Sequence, residues 1–225
     1  MNLIQDIRFF SEHPEPILAK YHIHGMRDIL QRLLFLLRHE GFTFGDFDHL
    51  YMNYTPSLTH GEVRRSQRPI DRYHPWLRYV DAGCVIDTFT SMTVSEQRQF
   101  LTQTIQKAVH LHADEENRVI FDRCCLLVMN LGPALEIPYK EKSGELLRIA
   151  ISTTIDDDAQ FHPIVRIFDM GDKLLLEEHL KSCGRESFLA QFGTITLGKR
   201  TVRIEPRKSD FLRGQKVGQL KYSVK

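Results

Sequence analysis

The sequence predicts an α+β protein, with a helix-rich first half packed on a C-terminal antiparallel β-meander of hairpins. Three observations carry this. Apolar residues recur with a helical period through the first 130 residues, the period switches to two from residue 134, and helices precede most strands rather than alternating with them in a βαβ series. The chain reads as a single domain over 1–225. It is helix-rich over 1–132, hairpin-rich over 133–206, and ends in a basic arm over 207–225.

Each element has a local reason. Met26, Ile29, Leu30, Leu33, Leu34 and Leu37 share one helical face, Arg27, Asp28, Arg32 and Arg38 the other, and Gly41 supplies a stop, which predicts a helix near 25–40. A second helix, near 94–112, starts at a capping box, Thr93-Val94-Ser95-Glu96, and buries Leu101, Ile105, Ala108 and Val109. A third, near 115–130, is capped by Asp114 and ended by Gly132-Pro133. Its middle is apolar all round, which predicts deep burial and also fits a buried strand. Aromatic and β-branched content marks strands at His49–Thr55 and Trp76–Ile86, joined by twenty residues, 56–75, with little periodicity. Beyond 134, three hairpins follow: ALEIPY and ELLRIAISTTI about KEKSG, HPIVRIF and KLLLEEHL about Asp169-Met170-Gly171-Asp172, and TITL and RTVRI about Gly198-Lys199.

Composition narrows the function. The chain has 225 residues, 42% hydrophobic and 26% charged, with 30 Lys and Arg against 29 Asp and Glu. A formal charge of +1 lacks the basic excess of a dedicated nucleic-acid binder. The charge is uneven, however: 23 basic and 27 acidic residues over 1–200, then seven basic and two acidic over 201–225. Arg207, Lys208, Arg213, Lys216, Lys221 and Lys225 read either as a solvated, frayed end or as an arm for an acidic partner. Four cysteines, two of them adjacent, do not make a disulfide framework. With no secretory signal and no apolar run long enough to span a bilayer, the expectation is a soluble, cytoplasmic protein with no membrane partner.

Motifs for chemistry are sparse. His22-Ile23-His24 and His110-Leu111-His112 place imidazoles two apart, but no H-E-x-x-H or C-x-x-C accompanies them, so no metal is expected. No nucleophile elbow, phosphate loop or dinucleotide fingerprint occurs, and Cys84 reads as a small core residue. No cofactor and no catalytic residue is assigned. Asp81 and Asp87 bracket a buried-looking strand, and Asp156-Asp157-Asp158 ends another, either as a solvated turn or as an acidic contact. Arg64, Arg65, Arg68 and Arg72 precede Tyr73, His74, Pro75, Trp76 and Tyr79, and Arg, Tyr and Trp are the residue types that anchor protein interfaces. The same pattern fits rings packed in the core beside solvated arginines.

The strings HIHGMRDILQRLLFLLRHEGF, WLRYVDAGCVID and TVSEQRQFL together resemble immunity proteins encoded beside bacterial polymorphic toxins, and among these most the immunity group numbered thirty-nine. The likeness covers roughly residues 20–112. It implies a non-enzymatic inhibitor that binds a cognate toxin domain and covers its active site or substrate surface, in systems that include type VI secretion. Near-neutral charge fits an ADP-ribosyltransferase or another translation-targeting toxin at least as well as a strongly basic nuclease. The expected contact residues are Arg64, Arg65, Arg68 and Tyr73 with Asp156, Asp157 and Asp158. Two other classes stay open: a small-molecule hydrolase using Asp81, Asp87 and a histidine, and an RNA-associated module built from the arginine loop and the C-terminal arm, although nucleic acid is the less expected partner.

Overall fold

The structure is a computed structural model that describes residues 2–11, 26–208 and 217–224. The chain divides into two compact units, residues 1–131 and 132–225, meeting where the reading above placed the change from helix-rich to hairpin-rich sequence. Helices and sheets are both present, and the protein is α+β.

The first unit holds a four-stranded sheet in the order β1-β2-β4-β3, from β1 (Asp6–Ser11), β2 (His49–Thr55), β3 (Val63–Arg65) and β4 (Leu77–Gly83). β1 pairs parallel to β2, and β2 parallel to β4, while β3 lies antiparallel to β4. One βαβ connection occurs within this α+β layout, because α1 (Arg27–His39) lies between the parallel strands β1 and β2 in the chain. β1 buries little beyond Ile7, so its pattern is too weak to announce a strand, and its partner is some forty residues away.

α1 buries its predicted apolar face, and Gly41, at φ +77°, follows its end. Asp28 and Arg32, placed opposite that face, are nevertheless not in solvent. They are 1% and 2% exposed, paired at 3.1 Å one turn apart, with Arg98 Nη2 3.7 Å from Asp28. A buried charge is tolerable only when paired in this way. α3 (Val94–His112) begins with the predicted capping box, Glu96 N–H donating to Thr93 Oγ1 and the Glu96 carboxylate accepting from Thr93 N. α4 (Glu115–Leu131) starts at Asp114, which accepts from Asn117 N at 2.9 Å. Deep burial of α4 is corrected. Phe121, Cys124 and Val128 face the core, but Val119 and Leu126 are 58% and 62% exposed. A helix touching α1 and α3 on one side has a buried stripe, not a buried circumference. Phe42 packs edge-on to Phe44 and near Phe121, and Tyr54 sits fully buried with its hydroxyl 2.7 Å from Thr104 Oγ1.

The predicted strand over 76–86 ends at Gly83, and a short helix, α2 (Ile86–Ser91), begins where strand was expected. Gly83 sets this boundary. A Cβ there would lie 1.9 Å from the Thr59 carbonyl oxygen, so only glycine lets the connection before β3 lie against the end of β4.

The second unit contains two sheets. β5 (Ile137–Ser143), β6 (Leu147–Ile155), β7 (Phe161–Asp169) and β8 (Leu174–His179) form an antiparallel meander, with Leu147, Ile149, Ile151 and Thr153 buried on one face as predicted. The first turn is shifted: Lys140–Ser143 continue β5, and the reversal falls at 144–146. The third hairpin leaves the meander. β9 (Thr194–Leu197) and β10 (Thr201–Glu205) pair with β11 (Leu220–Ser223) in a separate sheet, after a helix, α5 (Arg185–Gln191), that periodicity had not marked. The described part of the basic arm is therefore not a frayed tail, since it adds β11 and buries Tyr222. Arg213, Lys216 and Lys225 lie outside the described residues. Phe161 and Phe188 stack with centroids 4.9 Å apart in this unit's core.

Gly83→Ala is expected to destabilise the first unit by at least about 3 kcal/mol, because the clash is with backbone on both sides. Thr93→Ala is expected to cost about 1 kcal/mol through loss of the cap. Urea titration followed by circular dichroism checks both, and a Gly83→Ala protein as stable as the parent would contradict the close approach.

Candidate functional site

The connection over 56–75 is not featureless, because β3 gives it a fixed place on the edge of β4. Arg64 faces Asp81 across the pair, and Arg65 faces Val80. Backbone bonds extend the pairing, with Gly61 N–H donating to Gly83 O at 2.9 Å and Ser66 N–H to Tyr79 O at 3.2 Å. Successive residues of a strand point to opposite faces, so Arg64 and Arg65 are directed apart.

On one side, Asp46, Phe47, Arg65, Arg68, Ile70, Arg78, Tyr79 and His112 line an open cavity of about 370 Å³. Its cations are held by different means. Arg65 Nε donates to the Leu111 carbonyl at 3.2 Å, and its Nη2 donates to the same oxygen, so it caps the C-terminal end of α3. The guanidinium of Arg68 lies 5.0 Å from the centre of the Tyr79 ring. That of Arg78 lies 5.1 Å from the centre of Phe47 and pairs with Asp46 at 2.7 Å. His112 packs edge-on to Phe47 at 5.2 Å, and its Nε2 is buried without a hydrogen-bond partner. Burial, then the positive charges of Arg65 and Arg78, lower its pKa from 6.5 to about 4, so at neutral pH this histidine is uncharged.

On the other side, Thr55, Ser57, Arg64, Ser66, Gln67, Arg68 and Asp81 line a more open, polar hollow. Asn53 Nδ2 donates to Asp81 at 3.2 Å. Neither Asp87 nor a histidine is among the residues lining this hollow, and Asp87 is exposed in the first turn of α2.

Tyr73 and Trp76 are 69% and 42% exposed, which settles the alternative of core packing for Trp76, while Tyr79 is half-buried. Arg72 lies over the Tyr73 ring at 4.7 Å, and Asp71 accepts from both Tyr73 N and His74 Nδ1. Asp156–Asp158 belong to the other unit. Asp156 closes its own turn, accepting from Asp158 N at 3.0 Å, Gln160 N at 2.8 Å and His162 Nε2 at 2.9 Å, whereas Asp158 is exposed. Of the histidine pairs, His110 reaches Asp122 at 2.9 Å rather than a helix-end carbonyl, and His22-Ile23-His24 lies outside the described residues. Among the described residues no three His, Cys, Asp or Glu side chains cluster so as to hold a metal ion. Cys84 is fully buried, its thiol pushed up to about 11 by that burial.

Phe47, Ile70 and Arg78 were not singled out by sequence, and His112 was named only as half of a histidine pair. An arginine inside an apolar strand pattern, as at Leu77-Arg78-Tyr79-Val80, was the one available signal, because it calls for a carboxylate or a ring from elsewhere.

His112 binds its proton less readily folded than unfolded, so its contribution to stability is complete above pH 6.5 and is lost as the pH falls toward 4. The expected NMR titration midpoint is about 4, rising in Arg65→Gln, where one repelling charge is gone; a midpoint near 6.5 in the parent protein would contradict the buried placement. Compared with models of known protein families, with characterised proteins and with solved structures, the chain matches none.

Proposed function

We propose that this protein is a non-enzymatic inhibitor, an immunity protein that binds a cognate antibacterial toxin domain and covers its active site or substrate surface. The observation that carries the reading is the 63–79 edge, where exposed Ile70, Tyr73 and Trp76 lie among Arg64, Arg68 and Arg72 beside paired β-strands. Aromatic side chains bury large areas, and aromatic and arginine side chains together supply much of the energy of protein interfaces. A typical stable interface buries roughly 1,600 Å² in total. Exposed Asp158, in the other unit, also belongs to the proposed contact set. A toxin of moderate charge, such as an ADP-ribosyltransferase or another translation-targeting effector, suits a chain of net charge +1 better than a strongly basic nuclease.

The test is co-expression with the product of the adjacent gene. Growth arrest by that product alone, relieved by this chain, is the expected result, and toxicity without relief would reject the inhibitor. Arg64→Glu with Arg68→Glu is expected to weaken toxin binding at least about tenfold while leaving the melting temperature within a few degrees. Unchanged affinity would remove this edge from the interface.

A further inference from the structure

We infer that the solvent face of the sheet of β9, β10 and β11 is a second binding surface, one that holds the phosphate backbone of a nucleic-acid duplex without reading its sequence. It lies in the second unit, shares no residue with the proposed toxin contacts, and goes beyond the inhibitor reading.

Alternation along the strands assigns the two faces of this sheet. Ile195, Val202, Ile204 and Tyr222 are buried on one. Thr194, Thr196, Thr201, Arg203, Lys221 and Ser223 are exposed on the other. Arg203 stands at the centre, with Lys221 directly opposite on β11 and Thr196 directly opposite on β9. Like charges directly opposed across two strands weaken their pairing. Here nothing relieves them: among the described residues, no side-chain hydrogen bond or ion pair engages Arg203 or Lys221.

The β9–β10 turn carries the charge further. Gly198 N–H donates to Thr201 O at 2.8 Å and Val224 N–H to Arg200 O at 3.0 Å, which sets Lys199 and Arg200 beside the end of β11. Both are exposed, and neither side chain has a partner among the described residues. Half-buried Glu205, at the far end of β10, is the one acid among the described residues of 194–224. Residues 199–225 hold nine basic and two acidic side chains, against 21 and 27 over 1–198, so a chain of net charge +1 gathers its positive charge here.

The residue types select the ligand. Arginine, lysine and the hydroxyls of serine and threonine are the side chains that contact phosphate oxygens. Among the described residues of 194–224 no large apolar side chain is exposed. The face therefore lacks the aromatic anchor of a protein interface, the rings on which single-stranded bases stack, and the apolar side chains that enter a lipid surface. Lysine and serine are also depleted where proteins meet. A duplex presents phosphates in a regular array, and release of their counterions supplies the affinity. A phosphate seated between Arg203 and Lys221 turns their repulsion into attraction to a shared anion.

The test is fluorescence anisotropy of a short, dye-labelled DNA duplex of mixed sequence titrated with the full chain, with backbone amides followed by NMR. Binding is expected to weaken as salt rises, to be equal for a duplex of unrelated sequence, and to shift amides of 199–203 and 221–223. Arg203→Glu, and separately Lys221→Glu, is expected to lose at least about tenfold in affinity. Neither substitution is expected to lower the melting temperature, because each sets opposite charges across β10 and β11. No binding at low salt, full affinity in both variants, or shifts on the 63–79 edge instead would each overturn the surface. So would tighter binding, at the same residues, of hexaglutamate, octathymidylate or vesicles of anionic lipid, which would assign the face to an acidic protein, a single strand or a membrane. Growth rescue reports on the inhibitor alone, so the two claims fail separately.

Discussion

The pairing of three residues, Val63–Arg65, with the edge of β4 is the constraint on which the candidate site depends. Without it, residues 56–76 would be a long connection with no fixed geometry, and loops of that length pay heavily in entropy for any contact they make. With it, Gly61, Ser66 and Gly83 are tied by backbone bonds, and Arg64 and Arg65 are directed to opposite faces of one strand. The close approach of Thr59 to Gly83 is what brings the connection into register. β4 is in turn held by parallel pairing to β2 at the centre of the sheet, so the site inherits the rigidity of the unit's core.

The arginines then serve two ends at once. Arg65 satisfies a helix-end carbonyl, Arg78 neutralises Asp46, and Arg68 covers Tyr79, so each has a structural task as well as a face toward the cavity. The consequence is visible at His112, which is desolvated among rings and kept neutral by its cationic neighbours. Substitutions at Arg65 and Arg78 therefore mix loss of folding energy with loss of binding. Arg68 is set against the Tyr79 ring on an exposed segment.

What could be read from sequence was local. The capping box at Thr93, the helix of 94–112, the start of α4 at Asp114 and the turn at Asp169–Asp172 are determined by residues within one or two turns of themselves, and the structure has all four. What was missed depends on distant partners. The parallel neighbours of β2, the separate sheet of β9, β10 and β11, and the burial of Asp28 with Arg32 each require knowing what packs alongside. The site divides in the same way. Arg64, Arg65, Arg68 and Tyr73 were named from a cluster contiguous in sequence, whereas Phe47, Arg78 and His112 join them only through the sheet and the end of α3. α4 shows the opposite error: an apolar run was taken for burial, yet Val119 and Leu126 remain in solvent.

The central claim is that the 63–79 edge is a preformed surface and not a loop that orders on contact. Hydrogen exchange of the free protein, read at the amides of Gly61, Ser66 and Gly83, tests it most directly. The account predicts protection of these three amides comparable to that of the β2–β4 ladder, since all three bond across the edge of β4 in the same sheet. Exchange at the rate of an unstructured peptide, with the ladder still protected, would contradict it.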